Sequence, residues 1–298
     1  AGRYYAAAAG EKAEVALAID EAYQPRFAGD AIAPSTLGQV LAIAERLDTL
    51  AGGFAAGLKP TGNKDPFALR RSALGLARTI IEAGFDLDLP ALVEAALDRV
   101  AINMALVAKR SRDGAATAAE AAGADPAQAN ELYDFILDRL RGYYADRNVP
   151  GTQFDAVADG RWPSLLDFDR RLKAIADFAR LREASSLAAA NKRIRNILRK
   201  VETPIPAAVD PGQLAELAEK ALHEALVSAL SDTDPLLAQR DYVGTLKRLA
   251  SLQAPVDTFF EHTMVMADDA ALRDNRLALL KQVADRFAAV AAVEQLSA

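Results

Sequence analysis

The chain has no cysteine and only two histidines, His223 and His262, among its 298 residues. Without cysteine it can form no disulfide, offer no thiolate nucleophile and bind no zinc ion through sulfur. Each histidine stands alone on a separate predicted helix, so we expect both to be partly exposed or hydrogen-bonded residues and not metal ligands. The absence of cysteine also fits a cytoplasmic protein.

Long hydrophobic runs are absent as well. No apolar stretch reaches the roughly 18 residues that a membrane-spanning helix needs, and no charged-then-apolar signal opens the sequence. We therefore expect no membrane partner. Hydrophobic residues make up 51% and charged residues 26% of the chain, which is ordinary for a soluble globular protein. Because alanine is abundant and runs of β-branched residues are scarce, the sequence favours an all-α fold.

The residue patterns that mark an active site are missing too. There is no glycine-rich phosphate loop, no nucleophile paired with a base and no metal-ligand set. Asp268 and Asp269 are adjacent and suit a helix N-terminus, whereas acid–base catalysis needs opposed carboxylates. We expect no catalytic residue, no metal site and no cofactor in this chain.

The charge that is present is unevenly distributed. The whole chain carries a net charge of −6, whereas residues 160–200 hold eleven basic and four acidic residues, a net charge of +7. This basic island includes Arg170, Arg171 and Lys173. One basic segment in an acidic chain indicates a confined anionic partner.

A loop at residues 58–71, LKPTGNKDPFALRR, is the first candidate binding element. Turn-forming residues fill its first half, and Asp65 and Pro66 predict the start of a helix that continues from residue 67. Basic side chains gather around the loop and first helical turn, where the helix dipole favours anions. The candidate residues are Lys59, Thr61, Lys64, Arg70 and Arg71. The alternative is a solvated helix start whose charges keep the protein soluble.

A predicted helix at residues 185–201 is the second candidate. Lys192, Arg195, Asn196 and Arg199 are spaced i, i+3, i+4 and i+7, so they share one face. Such a basic row can follow an RNA backbone while asparagines, here Asn191 and Asn196, hydrogen-bond a base edge or a sugar. The alternative is a solvated face with salt bridges to Asp177 or Glu183.

Helical periodicity predicts most of the remaining chain. One helix at residues 36–50 would turn Leu37, Val40 and Leu41 inward, and another from residue 89 to about 111–114 would bury a stripe that includes Met104 and Val107. Residues 115–127 form an alanine-rich connector. A helix at 213–230 would bury Leu217, and a new helix would start at Asp234-Pro235.

Four stretches, in this order, resemble the β subunit family of bacterial heterotetrameric glycyl-tRNA synthetases. They are GRYYAAAAGE with YQPRFAGD, RLDTLAGGFAAGLKPTGNKDPFALRRSALGLARTI, FDRRLKAIADFARLREASSLAAANKRIRNILRK, and PVDTFFEHTMVMADDAALRDNRLALL. The resemblance implies the C-terminal part of such a subunit. It divides the chain into a partial, N-terminally truncated HD-like helical domain (1–115), a helical connecting region (116–184) and a DALR-type anticodon-binding bundle (185–298).

The resemblance also implies a function. It predicts a tRNA-binding part of a glycine–tRNA ligase that recognises tRNA-Gly and its anticodon, while a partner α subunit, using ATP and magnesium, performs aminoacylation. Asp48 resembles the last aspartate of an HD motif, but the histidines of such a site are missing here, so we expect Asp48 to be a hydrogen-bonding residue at a helix end. A helical protein-interaction scaffold without RNA binding remains the alternative.

Overall fold

The computed structural model describes residues 1–111 and 125–297, and for residues 108–111 it describes the backbone alone. The described residues are helical and contain no β-strand, apart from an isolated bridge between Thr61 and Lys64. The all-α prediction is therefore confirmed. No helix in the described ranges is both long and apolar enough to cross a membrane.

The chain divides into two compact units. The first contains the described residues of 1–148 together with 163–166, and the second contains those of 149–162 and from 167 onward. Residues of the predicted connecting region, 116–184, thus contribute to both units. The three-part division that the resemblance implies stays a prediction. Part of the predicted connector, residues 115–124, lies outside the described residues, as does the predicted helix end at 112–114.

The first unit is built from six helices in the described residues. They are α1 Gly2–Ala8, α2 Ala13–Glu21, α3 Thr36–Ala55, α4 Leu69–Glu82, α5 Leu89–Ser111 and α6 Pro126–Ala145. Its core lies where α3, α4, α5 and α6 pack against each other, with Leu50, Leu76, Ile80 and Leu132 fully buried. Asp125 caps α6 by accepting a hydrogen bond from Ala127 N at 2.9 Å, and Pro126 occupies the first turn.

Two buried arginines hold the irregular segment between α2 and α3. Arg46 of α3 donates from Nη1 to Ala22 O and from Nη2 to Gln24 O, both at 3.0 Å. Arg78 of α4 donates from Nη1 to Ala28 O at 2.6 Å. A Cβ atom at Gly75 would lie 2.6 Å from Nε of Arg46, so the glycine makes room for this guanidinium. These contacts satisfy carbonyl groups that no helix or sheet pairs.

The second unit contains the other helices of the described residues. They are α7 Gly151–Ala158, α8 Leu165–Phe178, whose first residues belong to the first unit, α9 Ala184–Arg199, α10 Leu217–Ala238, α11 Tyr242–Leu249, α12 Gln253–His262 and α13 Ala270–Ala288. Its core includes Phe168, Phe178, Phe259 and Phe287. Asp269 begins α13 and accepts a hydrogen bond from Leu272 N at 3.1 Å, which confirms the predicted start.

In the second unit, Arg171 joins separate elements of the fold. The Arg171 guanidinium lies 3.3 Å from the ring centroid of Trp162 and donates from Nε to Asp167 Oδ2 at 2.7 Å. Its Nη1 donates to Val290 O at 2.8 Å and its Nη2 to the Tyr242 hydroxyl at 2.8 Å. Tyr242 in turn donates to Asp167 Oδ1 at 2.7 Å. α8, α11 and the end of α13 are thereby tied together through one cation.

Arg276 of α13 forms a buried ion pair with Glu219 of α10. Arg276 also donates from Nη1 to Met264 O at 2.7 Å, and the second carboxylate oxygen of Glu219 accepts from Ala215 N and Glu216 N. Both charged groups therefore have further hydrogen-bond partners, which buried charges require. Removing either residue of the pair would leave an uncompensated buried charge, at a cost of about 3–5 kcal/mol.

Several predicted inward faces are wrong. Leu37, Val40 and Leu41 of α3 are exposed, because this helix is apolar on both sides and the core takes the side that includes Leu47 and Leu50. In α5 the buried side chains end at Val100, and Met104 and Val107 are exposed because only the first half of the helix is covered among the described residues. Leu217 is exposed at the first position of α10.

Some predicted boundaries are wrong as well. α10 runs through Pro235 to Ala238, so the proline lies inside this helix, and α11 begins after Asp241 instead. α4 begins at Leu69 and not at residue 67, since Ala68 adopts a left-handed conformation with φ 55°. Helical periodicity also failed to predict α7.

The hydrogen bonds of Tyr242 lead to a prediction about alkaline stability. Burial and the bond to Asp167 raise the pKa of Tyr242 from 10.0 to about 12. The folded state therefore favours the protonated phenol, whose contribution to stability is complete below about pH 10 and is lost as pH rises through about 12. Tyr242→Phe should destabilise the protein at neutral pH by about 1–3 kcal/mol, because Arg171 and Asp167 each lose a buried partner.

Denaturant unfolding of the parent and Tyr242→Phe at a series of pH values measures this effect. The difference between their unfolding midpoints should shrink above about pH 10. Tyr5→Phe, at a tyrosine that is 75% exposed, serves as the control and should leave the midpoint unchanged. A difference that stays constant across the alkaline range would contradict the assignment to the Tyr242 hydroxyl.

Candidate nucleic-acid interface

The loop of the first unit, residues 58–68, is closed by its own backbone. Thr61 N donates to Lys64 O at 3.1 Å and Lys64 N donates to Thr61 O at 2.9 Å. Gly62 turns the chain at φ +50°, a conformation that favours glycine. Arg70 Nη2 donates to Gly62 O at 2.7 Å and so fastens the turn to the start of α4. The loop is therefore a defined projection on the first unit.

The N-terminus of α4 already has an anionic partner. The carboxylate of Asp65 accepts from Leu69 N at 2.8 Å and from Arg70 N at 3.0 Å. These are the amide groups that an incoming phosphate would have used. Asp65 thus occupies two of the amide groups of this helix terminus, and the predicted phosphate contact stays a prediction that depends mainly on the side chains around it.

Some candidate side chains of residues 58–71 already bind other groups of the protein, whereas others are exposed to solvent. Lys59 forms an ion pair with Glu131 of α6 and lies 5.5 Å from the ring centroid of Phe54, while Arg70 holds the turn. Lys64 and Arg71 are exposed. Thr61 is exposed too, with its backbone used in the bridge. Lys64 and Arg71 are thus the cations best placed to meet a ligand.

Arg71 also lines a groove that the sequence patterns did not predict. The groove has a volume of about 270 Å³ and brings Arg71 and Ser72 together with Tyr23 and Arg26. Tyr23 is 68% exposed and offers an aromatic face beside two guanidinium groups. Arg26 is paired only loosely, at 3.8 Å, with Asp20. Their separation in sequence hid this combination. The ring can stack a base and the arginines can attract a phosphate, while the carboxylate of Glu45 also lines the groove and reduces its positive charge.

In the second unit, two of the candidates on α9 face inward. Asn191 is 2% exposed and donates from Nδ2 to Glu294 Oε2 at 2.7 Å. Arg195 lies 3.5 Å from Glu294 Oε1 and donates to Ala284 O at 3.3 Å. Both side chains fasten α9 to the C-terminal residues. The predicted RNA contact by Asn191 is therefore wrong, because burial keeps its amide away from a ligand.

The remaining candidates on α9 form an exposed row. Lys192, Asn196 and Arg199 are all solvent-exposed, at spacing i, i+4 and i+7 on one face. Lys192 makes one long contact, 3.4 Å, to the carbonyl of Ser297. The salt bridges to Asp177 and Glu183 that the alternative interpretation required are made by other residues, Arg180 and Arg182. The row therefore remains accessible.

Ion pairs inside residues 160–200 leave the net charge of +7 unchanged, because each pair is neutral. Arg171 is buried in its cluster with Asp167, and Lys173 pairs with Asp169. The cations left exposed on α9 and at its C-cap are Lys192, Arg193, Arg199 and Lys200. Arg161 and Arg170, which precede α9, are exposed as well, so the basic surface of this segment is wider than α9 alone.

No metal-binding cluster of histidine, cysteine, aspartate or glutamate side chains occurs in the described ranges 1–111 and 125–297. Asp48 is exposed in the interior of α3, so its predicted place at a helix end is wrong. His223 is partly exposed, whereas His262 is exposed and lies 4.0 Å from Glu261.

Comparison with known proteins identifies relatives of both units. Residues 1–159 match the family model described as glycyl-tRNA synthetase beta subunit, and residues 187–293 match the DALR anticodon binding domain. The chain is 61% identical over 297 residues to the glycine–tRNA ligase beta subunit of Xanthomonas campestris pv. campestris. Identity to the beta subunits of Xylella fastidiosa and Pseudomonas aeruginosa is 52% over 308 residues and 47% over 297 residues.

These alignments cover nearly all of the chain and less than half of each relative. They include 100%, 100% and 99% of the chain, but 41%, 43% and 40% of the Xanthomonas, Xylella and Pseudomonas proteins. The chain therefore spans about two fifths of the length of the curated relatives it matches.

The loop of the first unit gives a prediction about RNA affinity. Lys64→Ala with Arg71→Ala should weaken binding of a tRNA and reduce the slope of log affinity against log salt by about one for each phosphate that is no longer bound. The free energy of unfolding should change by no more than about 0.5 kcal/mol, the range expected of surface substitutions, because neither side chain is buried.

A matched control removes the same charge elsewhere on the first unit. Lys12 and Arg99 are exposed, and Lys12→Ala with Arg99→Ala should leave the affinity and the salt slope close to those of the parent. Equal decreases in affinity in the two double variants would show that only net charge matters and would reject a contact at this loop.

Proposed function

We propose that this chain, which belongs to the glycyl-tRNA synthetase β subunit family, is a tRNA-binding part of a glycine–tRNA ligase. The observation that carries the proposal is the exposed row of Lys192, Asn196 and Arg199 on α9, within the residues that match an anticodon-binding domain. The lysine and the arginine suit phosphates and the asparagine suits a base edge or a ribose. The ligand would be tRNA-Gly, contacted at its anticodon by the second unit.

The first unit would add contacts elsewhere on the same tRNA. Lys64 projects from the closed loop and Arg71 from the first turn of α4, and Tyr23 and Arg26 complete a groove beside Arg71. Because hydrogen bonds already close the loop backbone, that backbone loses little entropy on binding, and the cations can attract a polyanion. Each unit would thus contribute its own basic surface to tRNA binding, on a chain whose net charge is negative.

The chemistry of aminoacylation would belong to a partner. The described residues of this chain contain no metal-binding cluster, and we assign glycine activation to the α subunit, which would use ATP and magnesium. The role of this chain in the ligase is then to bind and position the tRNA. We expect it to act in the cytoplasm, where tRNA is charged.

A helical protein-interaction scaffold is the second candidate. The observation that favours it is the exposed apolar side of α3, with Leu37, Val40 and Leu41 between 38% and 51% exposed. Apolar side chains grouped on one helix face are typical of protein contacts. Such a scaffold would not bind RNA, which separates the two candidates experimentally.

A binding titration at two salt concentrations tests the proposal. The RNAs are tRNA-Gly, a tRNA-Gly with an altered anticodon and an unrelated RNA of equal length. Binding that weakens with salt and depends on the anticodon is the expected result. Binding that weakens with salt but shows no preference among the three RNAs would indicate only non-specific electrostatic attraction. Absence of binding to every RNA would favour the protein-interaction scaffold.

The exposed row on α9 gives a second prediction. Lys192→Ala with Arg199→Ala should reduce the affinity for an isolated anticodon stem-loop more than the affinity for an acceptor-stem hairpin. The reason is that the row belongs to the unit that we assign to the anticodon. The control is Lys220→Ala with Lys247→Ala, two exposed lysines on α10 and α11. If the double variant loses the same affinity for both RNAs, the row attracts RNA in general and does not distinguish the anticodon stem-loop from the acceptor stem.

A further inference from the structure

The groove beside the start of α4 in the first unit has the size and lining of a site for a small ligand. Its volume of about 270 Å³ lies just below the roughly 300–1,000 Å³ that is usual for ligand pockets. Two buried residues, Pro25 and Arg46, line its base, while Tyr23, Arg26 and Arg71 are exposed at its edge. An aromatic ring and cationic side chains thus surround one small space.

The backbone that carries Tyr23 is held in place, although the ring itself is exposed. Nη2 of Arg46 donates to the carbonyl oxygens of Tyr23 at 3.3 Å, Gln24 at 3.0 Å and Pro25 at 3.3 Å. Nη1 donates to Ala22 O at 3.0 Å. Because these bonds fix four consecutive carbonyl groups, this wall of the groove loses little entropy when a planar base stacks on the ring.

The charges that line the groove match a phosphate group with two negative charges. Three arginines and one glutamate give a net charge of +2, and they are Arg26, Arg46, Arg71 and Glu45. Arg26 lies 3.8 Å from Asp20 with both side chains half exposed, so an anion can displace this loose pair. A phosphate monoester carries about −1.5 to −2 charges at neutral pH and offers three acceptor oxygens. A phosphodiester inside an RNA chain carries only one charge.

We propose that this groove binds a nucleoside 5′-monophosphate, with the base stacked on Tyr23 and the phosphate held by Arg26 and Arg71. The hydroxyl of Ser72, which also lines the groove, donates to a phosphate oxygen. Such a group comes either from a free mononucleotide or from the 5′-terminal nucleotide of an RNA. The inference goes beyond the proposed tRNA contact, because the recognised group is a terminal phosphate monoester and not the continuous RNA backbone.

The first test compares the affinities of the chain for AMP, cyclic 3′,5′-AMP and adenosine, measured by isothermal titration calorimetry. The three ligands share a base and a ribose, and they carry about two, one and no negative charges. AMP should bind most tightly and adenosine most weakly. Equal affinity for AMP and adenosine would overturn the proposal, because the arginines would then contribute nothing to binding.

Variants of the groove separate the role of its charges from the role of its ring. Arg71→Ala should reduce the affinity for AMP by about ten-fold or more, because a charged hydrogen-bond donor is lost, and should hardly change the affinity for adenosine. Tyr23→Ala should weaken both ligands by about five-fold or more, whereas Tyr23→Phe should keep both affinities. Glu45→Gln should raise the affinity for AMP by about two- to five-fold, the range of one exposed charge. A damaged fold would not produce such a gain.

Two exposed residues outside the groove provide matched controls. Asp48→Asn removes the same charge as Glu45→Gln from the next turn of α3, and Arg99→Ala removes one cation from α5. Both variants should bind AMP about as tightly as the parent does. If Asp48→Asn raises the affinity as much as Glu45→Gln, the phosphate responds to net charge alone and the groove is not its site.

A short single-stranded RNA, with and without a 5′-phosphate, identifies the source of the ligand. If the 5′-phosphate strengthens RNA binding and this RNA competes with AMP, the groove takes an RNA end. If AMP binds and neither RNA displaces it, the ligand is a free mononucleotide. If tRNA binds and AMP does not, the groove proposal is wrong while the tRNA-binding function stands. If AMP binds and no RNA does, the tRNA-binding function fails while the groove stands.

Discussion

Buried backbone carbonyls outside helices need hydrogen-bond donors, and the structure satisfies this constraint with arginine. Arg46 and Arg78 donate to the segment between α2 and α3, Arg171 to the carbonyls after α13, and Arg276 to the carbonyl of Met264. A guanidinium carries five donors in a rigid fork, so one side chain can satisfy several carbonyls that belong to different parts of the chain. The cost of burying the cation is offset by its carboxylate and carbonyl partners.

This use of arginine determines which charges are left for a ligand. Counting basic residues in the sequence cannot separate a guanidinium that holds a loop from one that faces water. Arg171 belongs to the basic island of residues 160–200 and is buried, while Arg199 in the same island is exposed. A lysine replaces such an arginine poorly, because its three N–H donors radiate from one nitrogen and cannot reach carbonyls as far apart as the planar guanidinium fork can. The exposed lysines, Lys64 and Lys192, are therefore the more direct markers of the surface available to an anion.

The sequence predicted the fold well where a local signal decided it and poorly where packing did. Asp269 both caps and starts α13, and the predicted start is correct because side-chain capping is a local interaction. Leu37 and Val40 were placed on the wrong side because α3 is apolar on two sides, and the helices packed on it choose between them. Pro235 fails as a boundary because α10 continues past it without the one amide donor that proline lacks. The family was predictable from long matching stretches, but the direction of Asn191 was not.

Helical periodicity predicts which side chains share a face of a helix. The contacts that this face makes in the folded protein then decide whether those side chains hold the fold together or remain accessible. On α9 the residues 191–199 supply both the anchor to the C-terminal segment, through Asn191 and Arg195, and the accessible row that begins with Lys192. Asn191 and Arg195 fix the position of α9, so the backbone that carries the exposed row is held in a defined orientation. For the tRNA-binding function proposed above, such placement would reduce the ordering entropy that is lost on binding. The same helix would then need both its buried and its exposed polar residues, and removing the anchor would weaken binding without removing a ligand contact.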